Sequence, residues 1–197
     1  MKVMGVFLTT PFLMSQLRFT THWDGREGNY RFYVWGRLTP HCMSKSDPTV
    51  FLNCNLIDAV DRVRIKESNI GVGISMDQQL SDSVGFWARL GFQDPHVSQF
   101  DKALSAGVVT SGSTIGRSDD ALGIAYGIAL PSSDYKKATG FSDIERYIEV
   151  YYKFVLGGDG STTGFHLTPD FQIVINPGGN RAIHPVIVPG LRAQFHF

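Results

Sequence analysis

The sequence has no hydrophobic run long enough for a helix to cross a membrane. Roughly 18 consecutive apolar residues are needed, and the nearest stretch, Val3 to Leu17, is broken by Thr9, Thr10, Pro11, Ser15 and Gln16. Charge of either sign is also scarce. The 18 basic and 18 acidic side chains of the 197 residues cancel, and charged residues make up 18% against roughly 25% in typical soluble domains. Without a clustered basic face to release counterions, DNA or RNA is not an expected partner. Catalytic signatures are missing as well. No G-x-x-x-x-G-K-[ST], G-x-S-x-G or H-E-x-x-H occurs, and the six histidines lack metal-ligand spacing, so no enzyme, metal site or cofactor is expected. Gly157 to Gly160 has no following Lys and helix, and reads as a turn and not as a phosphate cradle. Glu145 and Glu149 on one strand would lie roughly 13 Å apart, too far for glycoside hydrolysis. Lys2 and Val3 to Leu8 imitate the start of a secretory signal, but no small-residue cleavage site follows, so no signal peptide is expected.

What the sequence does have is alternation. A mean hydropathy of -0.05 with so few charges requires apolar and polar residues to be finely interleaved, and period two dominates, the mark of strands with unlike faces. Tyr30, Phe32, Val34, Gly36 and Leu38 alternate with Asn29, Arg31, Tyr33, Trp35 and Arg37. The same pattern runs through Asn69 to Asp77, Ser83 to Phe92, Ala121 to Leu130, Ile144 to Val155, Phe165 to Asn176 and Ile187 to Phe197, and more weakly through Thr10 to Thr21 and Lys102 to Ser111. Helical spacing appears only weakly, at Asn55 to Lys66. About nine strands of roughly 9–12 residues result, longer than in most soluble sheets and suited to tilted strands crossing a bilayer. Connections near 22–27, 78–82, 112–118 and 156–164 are compact. Those at 39–68, 93–101, 131–143 and 177–185 are mostly longer, the asymmetry of an outer-membrane-type barrel.

Alternation leaves open whether the apolar face is a soluble core or a lipid-facing wall. In a soluble sandwich the polar faces usually carry abundant Lys and Glu. Here they are rich in Gly, Ala and Ser with a few Arg, Glu, Tyr and Trp, which suits a crowded lumen. Aromatics at Tyr30, Phe92, Tyr152, Phe154, Phe195 and Phe197 stand near the ends of the apolar rows, as in interfacial girdles.

Several segments carry a resemblance to a family. They are Gly28 to Trp35, Gly71 to Gln79, Val97 to Ser105, Gly116 to Asp120 and Thr168-Pro-Asp-Phe-Gln-Ile-Val-Ile-Asn-Pro-Gly-Gly-Asn180, with the closing Pro189 to Phe197. In order and spacing they resemble carbohydrate-selective porins of the OprB type over nearly the whole chain. The resemblance implies an all-β, antiparallel transmembrane β-barrel of the Gram-negative outer membrane that passes small sugars by diffusion. Residues 1–197 would be one partial barrel domain, the C-terminal half of a sixteen-stranded porin. Closure by nine strands alone is not expected, because an antiparallel barrel needs an even count. The resemblance further implies that Leu191, Phe195 and Phe197 form an insertion signal read by the barrel-assembly machinery, with outer-membrane lipid as a partner and a homo-oligomer as one possible state.

On the lumen parity, Arg31, Arg37, Arg89 and Arg192 can donate hydrogen bonds, and Glu145, Glu149 and Asp170 can accept them. Tyr33, Trp35, Trp87, Tyr147 and Tyr151 can stack on the C–H faces of sugars. Mixed charge favours neutral polyhydroxyl solutes. In an oxidising compartment Cys42 and Cys54 are expected to form a disulfide, contributing on the order of 3 kcal/mol. The alternative is a soluble all-β carbohydrate-binding domain using the same aromatic faces, and a further one is a structural barrel without transport.

Overall fold

A computed structural model of the chain describes residues 12–47, 51–53, 57, 61–66, 68–156 and 164–196. Nine long strands form one antiparallel sheet. They are β1 (Phe12–Trp23), β2 (Arg26–Arg37), β6 (Asn69–Gln79), β7 (Val84–Gln93), β8 (Phe100–Gly112), β9 (Arg117–Pro131), β10 (Glu145–Leu156), β11 (Gly164–Ile175) and β12 (Val186–His196). Each pairs with the next along the chain. The one interruption falls between β2 and β6, where β3 (His41–Ser44), β4 (Phe51–Asn53) and β5 (Arg62–Lys66) build a separate three-stranded sheet in the order β4-β3-β5. Among the described residues β1 and β12 are edges, each with a strand on one side only.

Local chemistry explains the meander. The β1–β2 connection is the dipeptide Asp24-Gly25 with both residues at positive φ, 52° and 74°. That is the turn whose twist matches a two-residue hairpin, and it pairs Trp23 with Arg26. Between β8 and β9 a short 3-10 turn at Ser113–Ile115 ends on Gly116 in the left-handed region.

Register aligns the alternating rows from strand to strand. One lateral row of the apolar face runs Phe19, Tyr30, Met76, Ala88, Ala106, Tyr126, Ile148, Ile173, Ile187, one residue from each of the nine strands. This face is not covered. Phe32, Ile124 and Phe171 are 45%, 53% and 46% exposed, and Leu191 is 70% exposed. Toward the long connections it carries Lys102, opposite Phe92 and Leu130, and Arg146, opposite Ile128 and Ile175, and toward the short turns Arg26, opposite Trp23.

Most of the deeply buried side chains lie in those long connections, among them Thr39, Cys42, Val97, Ser132 and Tyr135. Two expectations are corrected here. The weak helical spacing at Asn55 to Lys66 does not produce a helix at its end, because Arg62–Lys66 is strand β5, paired with β3. The connection at 131–143 contains α1 (Ser133–Thr139), capped by Ser132, whose side chain accepts from the Tyr135 backbone N–H at 3.2 Å, and closed by Gly140 at φ 77°. Cys54, Phe197 and the Gly157 to Gly160 turn lie outside the described residues.

Candidate functional site

The polar face of the sheet is organised as two flanks separated by a strip of small residues. On the first flank, Arg18, Arg31, Ser75 and Arg89 occupy one lateral row across β1, β2, β6 and β7. Each guanidinium is held differently. The Arg18 Nε–H donates to Asn29 Oδ1 at 2.8 Å, Arg31 is ion-paired with Asp77, and the Arg89 guanidinium lies 4.9 Å from the centre of the Trp87 ring, a cation–π arrangement. Asn29 also accepts from Thr20 Oγ1 at 2.9 Å and donates to Glu27 Oε1 at 2.9 Å. A cavity of about 450 Å³ opens beside this network and is lined by Glu27, Asn29, Asp77, Gln79 and Trp87, among others. A second, of about 150 Å³, lies where Tyr33, Trp35, Gln93 and Asp101 meet.

The other flank carries Glu145, Glu149 and Asp170. Glu149 stands opposite Gln172, and Tyr151 opposite Asp170. Asp170 Oδ1 accepts from Gln172 Nε2 at 3.3 Å. Glu145 is occupied, because its Oε2 accepts the Gly178 backbone N–H at 2.7 Å and so fastens the 176–185 connection to the wall. Arg37 donates through Nε to Thr39 Oγ1 at 3.2 Å. Arg192 faces Thr168 on the far edge of the sheet.

Parity puts all twelve candidate charged and aromatic residues on one face, and the register agrees. It does not bring them into one cluster. Arg31 on β2 and Glu149 on β10 are five strands apart in the sheet, roughly 24 Å at the usual interstrand spacing. Between them β8 and β9 present Ala103, Ser105, Gly107, Ala125, Gly127 and Ala129.

Arg18, Asn29 and Asp77 were not singled out in the sequence. Asn29 and Asp77 stand on the polar parity of their segments, but their role depends on which residue the neighbouring strand sets opposite, and alternation carries no register. Arg18 sits in the segment with the weaker alternation.

The long connections interlock above one end of the sheet. Ser132 N–H donates to Gln99 O at 2.8 Å, and Asp143 N–H to Gly179 O at 3.1 Å. The Tyr135 hydroxyl donates to Gly178 O at 3.0 Å. His96 Nδ1 lies 2.6 Å from Asp134 Oδ2, and Arg181 donates to both oxygens of Asp143 at 3.0 and 2.6 Å. Hydrogen bonding to His96 holds the Asp134 carboxyl below its ordinary range, and the Arg181 guanidinium does the same for Asp143. Cys42 is buried and disulfide-bonded. Asp61 accepts from Ser44, from Ser46 Oγ at 2.8 Å and from Ser46 N–H at 2.8 Å. The Ser44 hydrogen bond, followed by that of Ser46, keeps its carboxyl low.

Comparison with known proteins bears directly on this arrangement. A family model described as carbohydrate-selective porin, OprB family, matches residues 6–197. No match was found among curated proteins. Among solved structures, the high-pH structure of Pseudomonas putida OprB is similar over 96% of this chain, with a TM-score of 0.72 and 18% identity. The similarity covers 49% of that protein, so the chain spans about half its length. At that identity the likeness is one of fold, an antiparallel wall of long strands. With a family match across nearly its full length, the chain belongs to the OprB family of carbohydrate-selective porins.

Proposed function

We propose that the chain forms about half the wall of an outer-membrane channel through which small neutral sugars diffuse, with its apolar face against lipid and its polar face lining the lumen. Family and fold point to a channel and not to an enzyme. The observation that carries the reading is the contrast of faces. Large apolar side chains such as Phe32, Ile124 and Phe171 stand exposed on one side, whereas the other holds Arg18, Arg31, Arg89, Glu149 and Asp170 between aromatic rings. In hydrocarbon only closed hydrogen-bond ladders are tolerated, and this antiparallel meander supplies the ladders between all its neighbouring strands, leaving β1 and β12 to be paired by the rest of the wall.

A sugar passing the wall offers hydroxyls to the fixed guanidinium forks and carboxylates, and C–H faces to the rings. With Arg31 beside Asp77 on one flank and Arg192 near Asp170 and Glu149 on the other, both signs occur along the path and neither dominates it. The long connections are extracellular and the short turns periplasmic in this reading. Within it Leu191, Phe195 and Phe197 serve as the insertion signal for the assembly machinery, Cys42 pairs with Cys54 in the longest connection, and the channel is free to form homo-oligomers. The stacked Phe165 and Phe195 rings, 4.7 Å apart at 28°, support an ordered aromatic end to the wall. The soluble carbohydrate-binding alternative is disfavoured by the uncovered apolar face, where Phe32, Ile124 and Phe171 stand 45%, 53% and 46% exposed, because soluble monomers rarely leave large contiguous apolar patches open.

Proteoliposome swelling tests the proposal. Vesicles carrying the protein should swell in isotonic glucose and not in a large oligosaccharide. The protein should also need detergent for extraction and show heat-modifiable gel mobility. A monodisperse protein in plain buffer, or vesicles that exclude glucose, would refute it.

A further inference from the structure

On the polar face, five aromatic side chains stand directly opposite glycines of the neighbouring strand. Tyr33 faces Gly73 and Trp35 faces Gly71 across β2–β6, Trp87 faces Gly107 across β7–β8, and Tyr147 and Tyr151 face Gly127 and Gly123 across β10–β9. A Cβ built on Gly71, Gly73, Gly123 or Gly127 would meet the opposed ring first, since in each case the three nearest atoms belong to it. At Gly107 the Trp87 ring and the Ile124 carbonyl oxygen are equally close. These contacts require each ring to lean across the wall into the space a side chain would fill. Gly91 shows what a glycine on this face looks like without a ring. It lies between Gly73 and Ala103 and has nothing within 4 Å of its Cβ position.

We infer that Gly71, Gly73, Gly123 and Gly127 are specificity-determining residues of the channel, seats that keep Trp35, Tyr33, Tyr151 and Tyr147 flat against the wall. The inference rests on the channel reading given above and assigns a role to residues that touch no solute themselves. A ring lying flat exposes one whole face to the lumen, the geometry needed to stack on the C–H face of a sugar. A ring lifted by a methyl group beneath it presents its edge, narrows the path and loses that face. Two of the seats tilt rings from β2 toward β6, and two tilt rings from β10 toward β9. Both flanks are therefore levelled by the same device.

The test is a double-substitution experiment on the membrane-inserted channel, with heat-modifiable mobility showing that each variant is assembled. Single-channel ion conductance and the glucose concentration that half-blocks it are recorded for Gly127→Ala, Gly73→Ala and Gly91→Ala. Gly127→Ala is recorded also on a Tyr147→Ala background. Gly127→Ala and Gly73→Ala should lower conductance and raise the half-blocking concentration by roughly five-fold, the loss expected of one aromatic contact. Gly91→Ala should leave both unchanged. With Tyr147 already removed, Gly127→Ala should have no further effect, because nothing remains to be lifted.

An equal effect of Gly127→Ala with and without the ring, or an effect of Gly91→Ala as large as that of Gly127→Ala, would overturn the inference. A channel that conducts ions but is not blocked by glucose would refute the sugar reading. The conductance readings would then still decide the seats.

Discussion

Asp77 illustrates how much a single partner fixes on this wall. Its carboxylate is ion-paired with Arg31 and stands in the lateral row of Asn29 and Trp87. Arg31→Ala removes a cation and leaves that carboxylate without its partner, so the channel should become more cation-selective. The measurement is the reversal potential in a potassium chloride gradient, and a shift toward anion selectivity would contradict the account. Trp87 is a platform for the Arg89 guanidinium, and in the proposed channel it also offers a stacking face to the lumen. Trp87→Ala should weaken sugar block by about five-fold, equivalent to about 1 kcal/mol of lost ring contact. Titration of glucose block of single-channel current measures it.

The connections above the sheet are tied together by charge. Arg181 holds the Asp143 carboxyl below its ordinary range, and His96 does the same for Asp134. For a carboxylate lowered in the folded state, the stabilisation is complete above the ordinary carboxylate pKa of about 4 and is lost as pH falls through the lowered value. Loop cleavage by an added protease should therefore be equally slow at pH 7 and pH 5, and accelerate only in stronger acid. Asp143→Asn should bring rapid cleavage already at pH 7. The disulfide at Cys42 predicts that no thiol is alkylated in the unreduced protein and that two are alkylated after reduction.

The long strands were legible in the sequence because alternation is a repeated signal. Residues Ala121 to Leu130 read as a strand, and β9 contains all of them. The three-stranded sheet was not legible. β3 and β4 are only four and three residues long, too short for a period-two pattern to rise above chance, and β5 follows a segment with helical spacing. The helix α1 was missed for a similar reason. Seven residues give less than two turns, and the local clues are confined to the two ends, the cap at Ser132 and the glycine at 140. The membership of the polar face was legible from parity, but its division into two flanks with a strip of small residues between them was not, because register is a property of strand pairs.

At the scale of the whole molecule, the fold reverses the usual arrangement of a soluble protein. The sheet turns Ile124, at 53% exposure, away from the polar face. Lipid is the environment that makes such a surface favourable, and a charge at the bilayer midplane costs about 2–4 kcal/mol. Ile124→Arg should destabilise the inserted protein by about that amount. Reversible denaturant unfolding in lipid vesicles measures it, and an unchanged midpoint would contradict a lipid-facing Ile124. Lys102 and Arg146 escape this cost in the same picture, since long basic side chains toward a strand end can reach the head-group layer.

The strand number has a geometric consequence. In an antiparallel meander of nine strands the first and last point the same way, so β1 and β12 could meet each other only as parallel neighbours. Any additional wall that bridges these two rims and keeps every neighbour antiparallel must contribute an odd number of crossings. An even contribution would force one parallel seam, whereas seven would complete a ring of sixteen.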